Sequence, residues 1–64
     1  MTRFEKDFMD AQEGNGIEVI TRRREEIRKL TAEGKACRNG FRTRCIAQET
    51  ARLTRELEEI EELF

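Results

Sequence analysis

The chain has no histidine, no proline, no tryptophan and no tyrosine, and only two cysteines among 64 residues. Without histidine it lacks the usual general base, the commonest metal ligand and the side chain that titrates near neutrality. The two cysteines, Cys37 and Cys45, allow one disulfide at most and no disulfide framework. They cannot complete a four-ligand zinc site within one chain, and their spacing matches no common zinc signature. Free thiols in a reducing cytosol are the expected state. The opening residues, Met1-Thr2-Arg3-Phe4-Glu5-Lys6-Asp7, lack the apolar run of a secretory signal. No stretch approaches the ~20 apolar residues of a membrane span. A cytoplasmic protein with no membrane partner is expected.

Large apolar side chains are also scarce: five Ile, four Leu, four Phe, two Met and one Val, against 42% charged residues. A chain this short buries only about 60% of its unfolded surface even when folded. One small domain is therefore the limit, and self-association is expected to supply what the core lacks.

What is present is helical punctuation and periodicity. Gly14-Asn15-Gly16 is the clearest break, since two glycines around an asparagine disfavour a continuous helix. A second break falls within residues 34–40, where Asn39-Gly40 is the stronger turn signal and Gly34 the weaker. Residues 1–14 read as a short helix or arm, with Thr2 and Glu5 at capping-box spacing and Phe4 and Phe8 on one face. So short a helix needs the rest of the chain to hold it.

Residues 15–64 read as an antiparallel helical hairpin, with helices of about 22 and 24 residues, each about 35 Å long. In the first, Ile17, Ile20, Ile27 and Leu30 form a narrow stripe interrupted by Arg23 or Arg24. Asn15 with Glu18 has a capping pattern, and Glu18–Arg22 and Glu25–Lys29 stand at favourable i,i+4 spacing. In the second, Ile46, Thr50, Leu53, Leu57, Ile60 and Phe64 alternate spacings of four and three, the seam of a packed or coiled helix. Ala47 and Ala51 flank it with small side chains that would let a neighbouring helix approach. Nothing resembles a strand, so the fold class is all-α.

Charge is distributed unevenly. Residues 17–44 carry nine basic and four acidic side chains, whereas residues 45–64 carry two basic and six acidic. A hairpin would set Arg22, Arg23 and Arg24 beside Glu56, Glu58, Glu59, Glu61 and Glu62, so the asymmetry has an internal explanation. Two helices alone bury their stripes poorly, and pairing into a dimeric four-helix bundle is the expected remedy. The self-association seam would comprise Ile17, Ile20, Ile27, Leu30, Ile46, Leu53, Leu57, Ile60 and Phe64.

No nucleophile–base pair, metal-ligand set or cofactor motif can be assembled, so neither catalysis nor a cofactor is expected. The acidic run from Glu56 to Glu62 lies on one helix without loop ligands and reads as a solvated face. Gly14-Asn15-Gly16 has no preceding strand to make it a phosphate loop, and reads as a hinge. The leading expectation is a small interaction or regulatory protein, a homodimer acting as adaptor or modulator of a protein partner. Its candidate partner anchors are Phe4, Phe8 and Met9. The alternative is a small DNA- or RNA-binding bundle using Arg38, Phe41, Arg42 and Arg44 around the turn. The slightly acidic balance, with a pI near 5.5, weighs against it, and Phe41 is expected to plug the core at the turn.

Overall fold

The computed structural model describes all 64 residues, and every element in it is helical. Helix α1 spans Arg3–Asp10, a wide π-type turn follows at Ala11–Asn15, and α2 spans Gly16–Ala36. A three-residue connection, Cys37 to Asn39, leads to α3, Gly40–Glu61. Helices α2 and α3 form the hairpin, and α1 folds back against one side of it. The molecule is a short rod of 41 × 20 × 17 Å.

Local chemistry accounts for the boundaries. Thr2 caps α1 with both halves of the box in place: its Oγ1 accepts from the Glu5 amide at 3.1 Å, and its own amide donates to Glu5 Oε1 at 3.2 Å. Gly14 redirects the chain, since its φ of 106° is the one left-handed backbone conformation present. L side chains avoid that region, whereas glycine enters it freely. The Asn15–Glu18 cap expected from sequence does not form, because Asn15 makes no side-chain cap bond. The chain instead kinks at Gly14, whose non-helical backbone separates α1 and the wide turn from α2. Asn39 caps α3, its Oδ1 accepting from the Arg42 amide at 3.0 Å.

Gly34 is a helical residue inside α2, not a turn. A Cβ there would stand 3.2 Å from Ile46 Cγ2, so its lack of a side chain lets α2 and α3 approach closely beside the turn. Gly16 serves the same end at the other pole of the hairpin, where the Phe64 ring occupies the space a Cβ would need.

The core is built mainly from α3. Ile46, Leu53, Leu57 and Ile60 are buried, and Val19 and Ala11 meet Ile60 beneath Phe4, Phe8 and Ile20. The inward face of α2 runs through Gly16, Val19 and Arg23 instead of Ile17. Ile17 is 86% exposed, while Ile20, Ile27 and Leu30 are half-buried. The reason is that α2 is covered on two sides, by α3 and by α1, which rotates its packed face toward Val19 and Arg23.

Candidate functional site

The most constrained side chain is a cation. Arg23 is 1% exposed and touches all three helices. Its Nε donates to Asp7 Oδ2 of α1 at 2.8 Å, and its NH1 donates to Glu56 Oε1 of α3 at 3.0 Å. The Phe4 ring lies 5.9 Å from the guanidinium carbon, a cation–π distance. Its NH2 has no partner. Asp7, itself buried, also accepts from Arg22 NH2 at 3.1 Å, and Glu56 also accepts from Arg52 NH1 at 3.1 Å. Charges taken out of water are tolerated only when paired in this way.

The expected apposition of Arg22, Arg23 and Arg24 with the acidic end of α3 is met by two of the three. Arg23 pairs with Glu56, and Arg24 NH2 with Glu61 Oε2 at 2.7 Å. Arg22 turns to Asp7 instead. Glu25 takes Arg28, one turn away, in place of Lys29, and no Glu18–Arg22 pair forms. Arg28 holds the Glu25 carboxyl below its ordinary range. Arg3 reaches across from α1 to Glu26, and this bond holds the Glu26 carboxyl low while raising the Arg3 guanidinium. Glu58, Glu59 and Glu62 face solvent.

Of the anchors on α1, Phe4 and Phe8 are half-buried, with ring centroids 5.8 Å apart and planes tilted by 55°. Each turns one side to the Ala11–Val19–Ile60 cluster. Their outer sides line, with Met9, Glu5 and Glu59, a shallow apolar depression, in which Met9 is 44% exposed.

At the turn, Phe41 is not the core plug expected: it is 76% exposed. As the second residue of α3 it falls on the side of the helix opposite the Ile46–Leu53–Leu57 stripe. Arg42 is held by Glu33 through an NH2–Oε1 contact of 2.6 Å, whereas Arg38 and Arg44 reach into solvent without an ion pair. Both thiols are free, and Cys37 Sγ lies 3.6 Å from the Asn39 carbonyl oxygen.

The side of the hairpin away from α1 was not singled out as a unit by the sequence. Near the turn it is a shallow trough lined by Leu30, Gly34, Ile46, Ala47, Thr50 and Ala51. At the far end Ile17, Ile20, Glu61 and Phe64 frame a second depression, with Phe64 71% exposed. The signal that reveals this face is a second heptad-like register on α3, 43–47–50–54–57–61–64, beside 17–20–24–27–31 on α2.

No helix is long and apolar enough to cross a membrane. Comparison with known proteins returns no family model, no curated protein and no solved structure that matches the chain.

Proposed function

We propose that the chain is a non-catalytic interaction protein of the cytoplasm, a self-associating helical hairpin that acts as adaptor or modulator of another macromolecule. The observation that carries this reading is the depression formed by Phe4, Phe8 and Met9, which stays open although α1 is docked. Aromatic and methionine side chains on a supported helix make adaptable contact surfaces, and here one face of each ring is already ordered by the core. The dimeric four-helix bundle belongs to the same proposal, because two helices and a short third leave apolar side chains such as Ile17 and Phe64 in water.

The test is affinity capture with the intact chain and with Met9→Asp, which changes an exposed position and leaves the fold in place. A partner retained by the wild type and lost by Met9→Asp supports the surface, and equal retention by both overturns it.

The exposure of Phe41 between Arg38 and Arg44 favours a second reading, a nucleic-acid contact at the turn. An aromatic face can stack on a base while unpaired guanidinium groups neutralise phosphates. Fluorescence anisotropy with labelled duplex DNA, structured RNA and single strands at ~50 and ~200 mM salt tests it, since phosphate binding falls steeply over that range. Binding abolished by Arg38→Glu with Arg44→Glu would establish the contact, and no binding at micromolar protein would remove it.

A further inference from the structure

We propose that the face of the hairpin opposite α1 is an antiparallel two-fold interface between two copies of this chain, with the Ile17–Phe64 end of each seated in the trough of the other. The proposal rests on the self-association reading above and specifies its face and direction.

Three observations carry it. The first is shape. At one end of the face two apolar side chains, Ile17 and Phe64, project 86% and 71% exposed from the rim of a shallow depression. The other end is a trough floored by small residues, Gly34, Ala47 and Ala51. A two-fold contact requires a patch complementary to itself. Projecting side chains at one end and a trough at the other meet that requirement when the axis passes midway between them. Residue 31 of α2 borders the trough about 21 Å along the helix from residue 17, which puts the axis near Arg24.

The second is charge. Residues 28–44, which form the turn end, carry six basic and one acidic side chain, while the rest of the chain carries seven basic and thirteen acidic. The rod is therefore positive at one end and negative at the other. Antiparallel stacking lays Lys35, at the edge of the trough, toward the acidic end of the second copy. Parallel stacking would set like charge on like, which complementary interfaces avoid. A formal net charge of −1 leaves little overall repulsion between copies.

The third is area. A rod face of 41 × 20 Å offers on the order of 800 Å² per protomer, the size of one side of a standard stable interface. The opposite side has no such continuous face, because α1 lies across it.

Sedimentation equilibrium of the intact chain, with Ile17→Glu, Ala47→Glu and Met9→Glu, tests the proposal. Ile17, Ala47 and Met9 are all exposed within one chain, so the variants fold, and circular dichroism checks that they do. The expected result is a species of twice 7.6 kDa for the wild type and Met9→Glu. Ile17→Glu and Ala47→Glu should each raise the dissociation constant at least tenfold. In a Cys37→Ser, Cys45→Ser background, a mixture of Ile17→Cys chains and Thr31→Cys chains, which the two-fold brings face to face, should oxidise to heterodimers. A dimer unaffected at Ile17 and Ala47, or without that cross-link, overturns the interface while leaving self-association standing. A monomer at ~100 μM, well above the Kd of ordinary stable dimers, overturns both.

Discussion

Two residues illustrate how much of this fold depends on single side chains. Gly14 sits at φ 106° with nothing within 4 Å of where a Cβ would be, so its requirement is conformational and not steric crowding. Gly14→Ala should cost about 1–2 kcal/mol through the left-handed backbone alone, measured as a shift of the urea midpoint. Arg23 is the stronger case. Arg23→Ala takes from buried Asp7 its shortest partner and leaves Glu56 only Arg52, and removal of one side of a buried ion pair costs about 3–5 kcal/mol. For a chain of 64 residues that approaches the whole stability, so the variant should be largely unfolded by circular dichroism. Thr50 points the other way, since its buried Oγ1 has no hydrogen-bond partner. Thr50→Val keeps the shape and removes that desolvated hydroxyl, and should raise thermal stability by about 1 kcal/mol.

At the scale of elements, α1 is a clip held by arginine–carboxylate pairs on an aromatic base. Its attachment has a defined dependence on pH. The Glu26 carboxyl lies below its ordinary value of 4.5 because Arg3 bonds its charged form. The folded value is thus below the unfolded one. The contribution is complete above about pH 4.5 and is lost as pH falls through the lower, folded value. Protection of the α1 amides, taken relative to their intrinsic exchange rate at each pH, should therefore fall on acidification below that point, before protection in α3 does. Glu26→Gln should give fast α1 exchange already at neutral pH; unchanged exchange in that variant would detach Glu26 from any role in holding α1.

The elements differ in how openly the sequence displayed them. Helix α3 was legible because its four–three spacing is uninterrupted from Ile46 to Phe64 and its buried residues fall on that seam. The capping box at Thr2 and the turn before Gly40 were legible because each is a local signal with a local cause. Helix α2 was legible as an arm of the hairpin but not in its packed face, because its most buried long side chain is a charged one. A pattern of apolar residues selects Ile17 and passes over Val19 and Arg23, and only the docking of α1 reverses that choice. Phe41 was misplaced for a related reason: an aromatic at a turn reads as a plug, and its angular position on α3 decides otherwise. On the face opposite α1, Ile17, Ile20, Leu30, Ile46 and Phe64 were read as seam residues and Ala47 and Ala51 as a place of close approach. Their union into one face was not read, because hydrophobic periodicity does not register the small and polar positions between them.

At the scale of the whole molecule, two of the proposed contact surfaces, the outer side of α1 and the broad face behind the hairpin, lie on opposite sides of the rod. Their separation predicts independence. Substitutions at Met9 should leave sedimentation unchanged, and substitutions at Ala47 should leave partner capture through α1 unchanged at protein concentrations where the wild type is monomeric. A variant that affects both readouts alike, without loss of helicity, would show that the two surfaces are one.

The guanidinium of Arg23 has a consequence for how the protein opens. Its partners stand at residues 7 and 56, on the first and last helices, so parting α2 from either neighbour takes one carboxylate from a buried guanidinium. Undocking of α1 still leaves the cation Glu56, whereas parting α2 from α3 opens the centre of the rod as a whole. The main-chain amides of α2 around Arg23 should exchange with deuterium only through global unfolding, with a single rate law shared by Val19 and Leu53. The termini and the turn would fray, while the centre behaves as one foldon fastened by one cation.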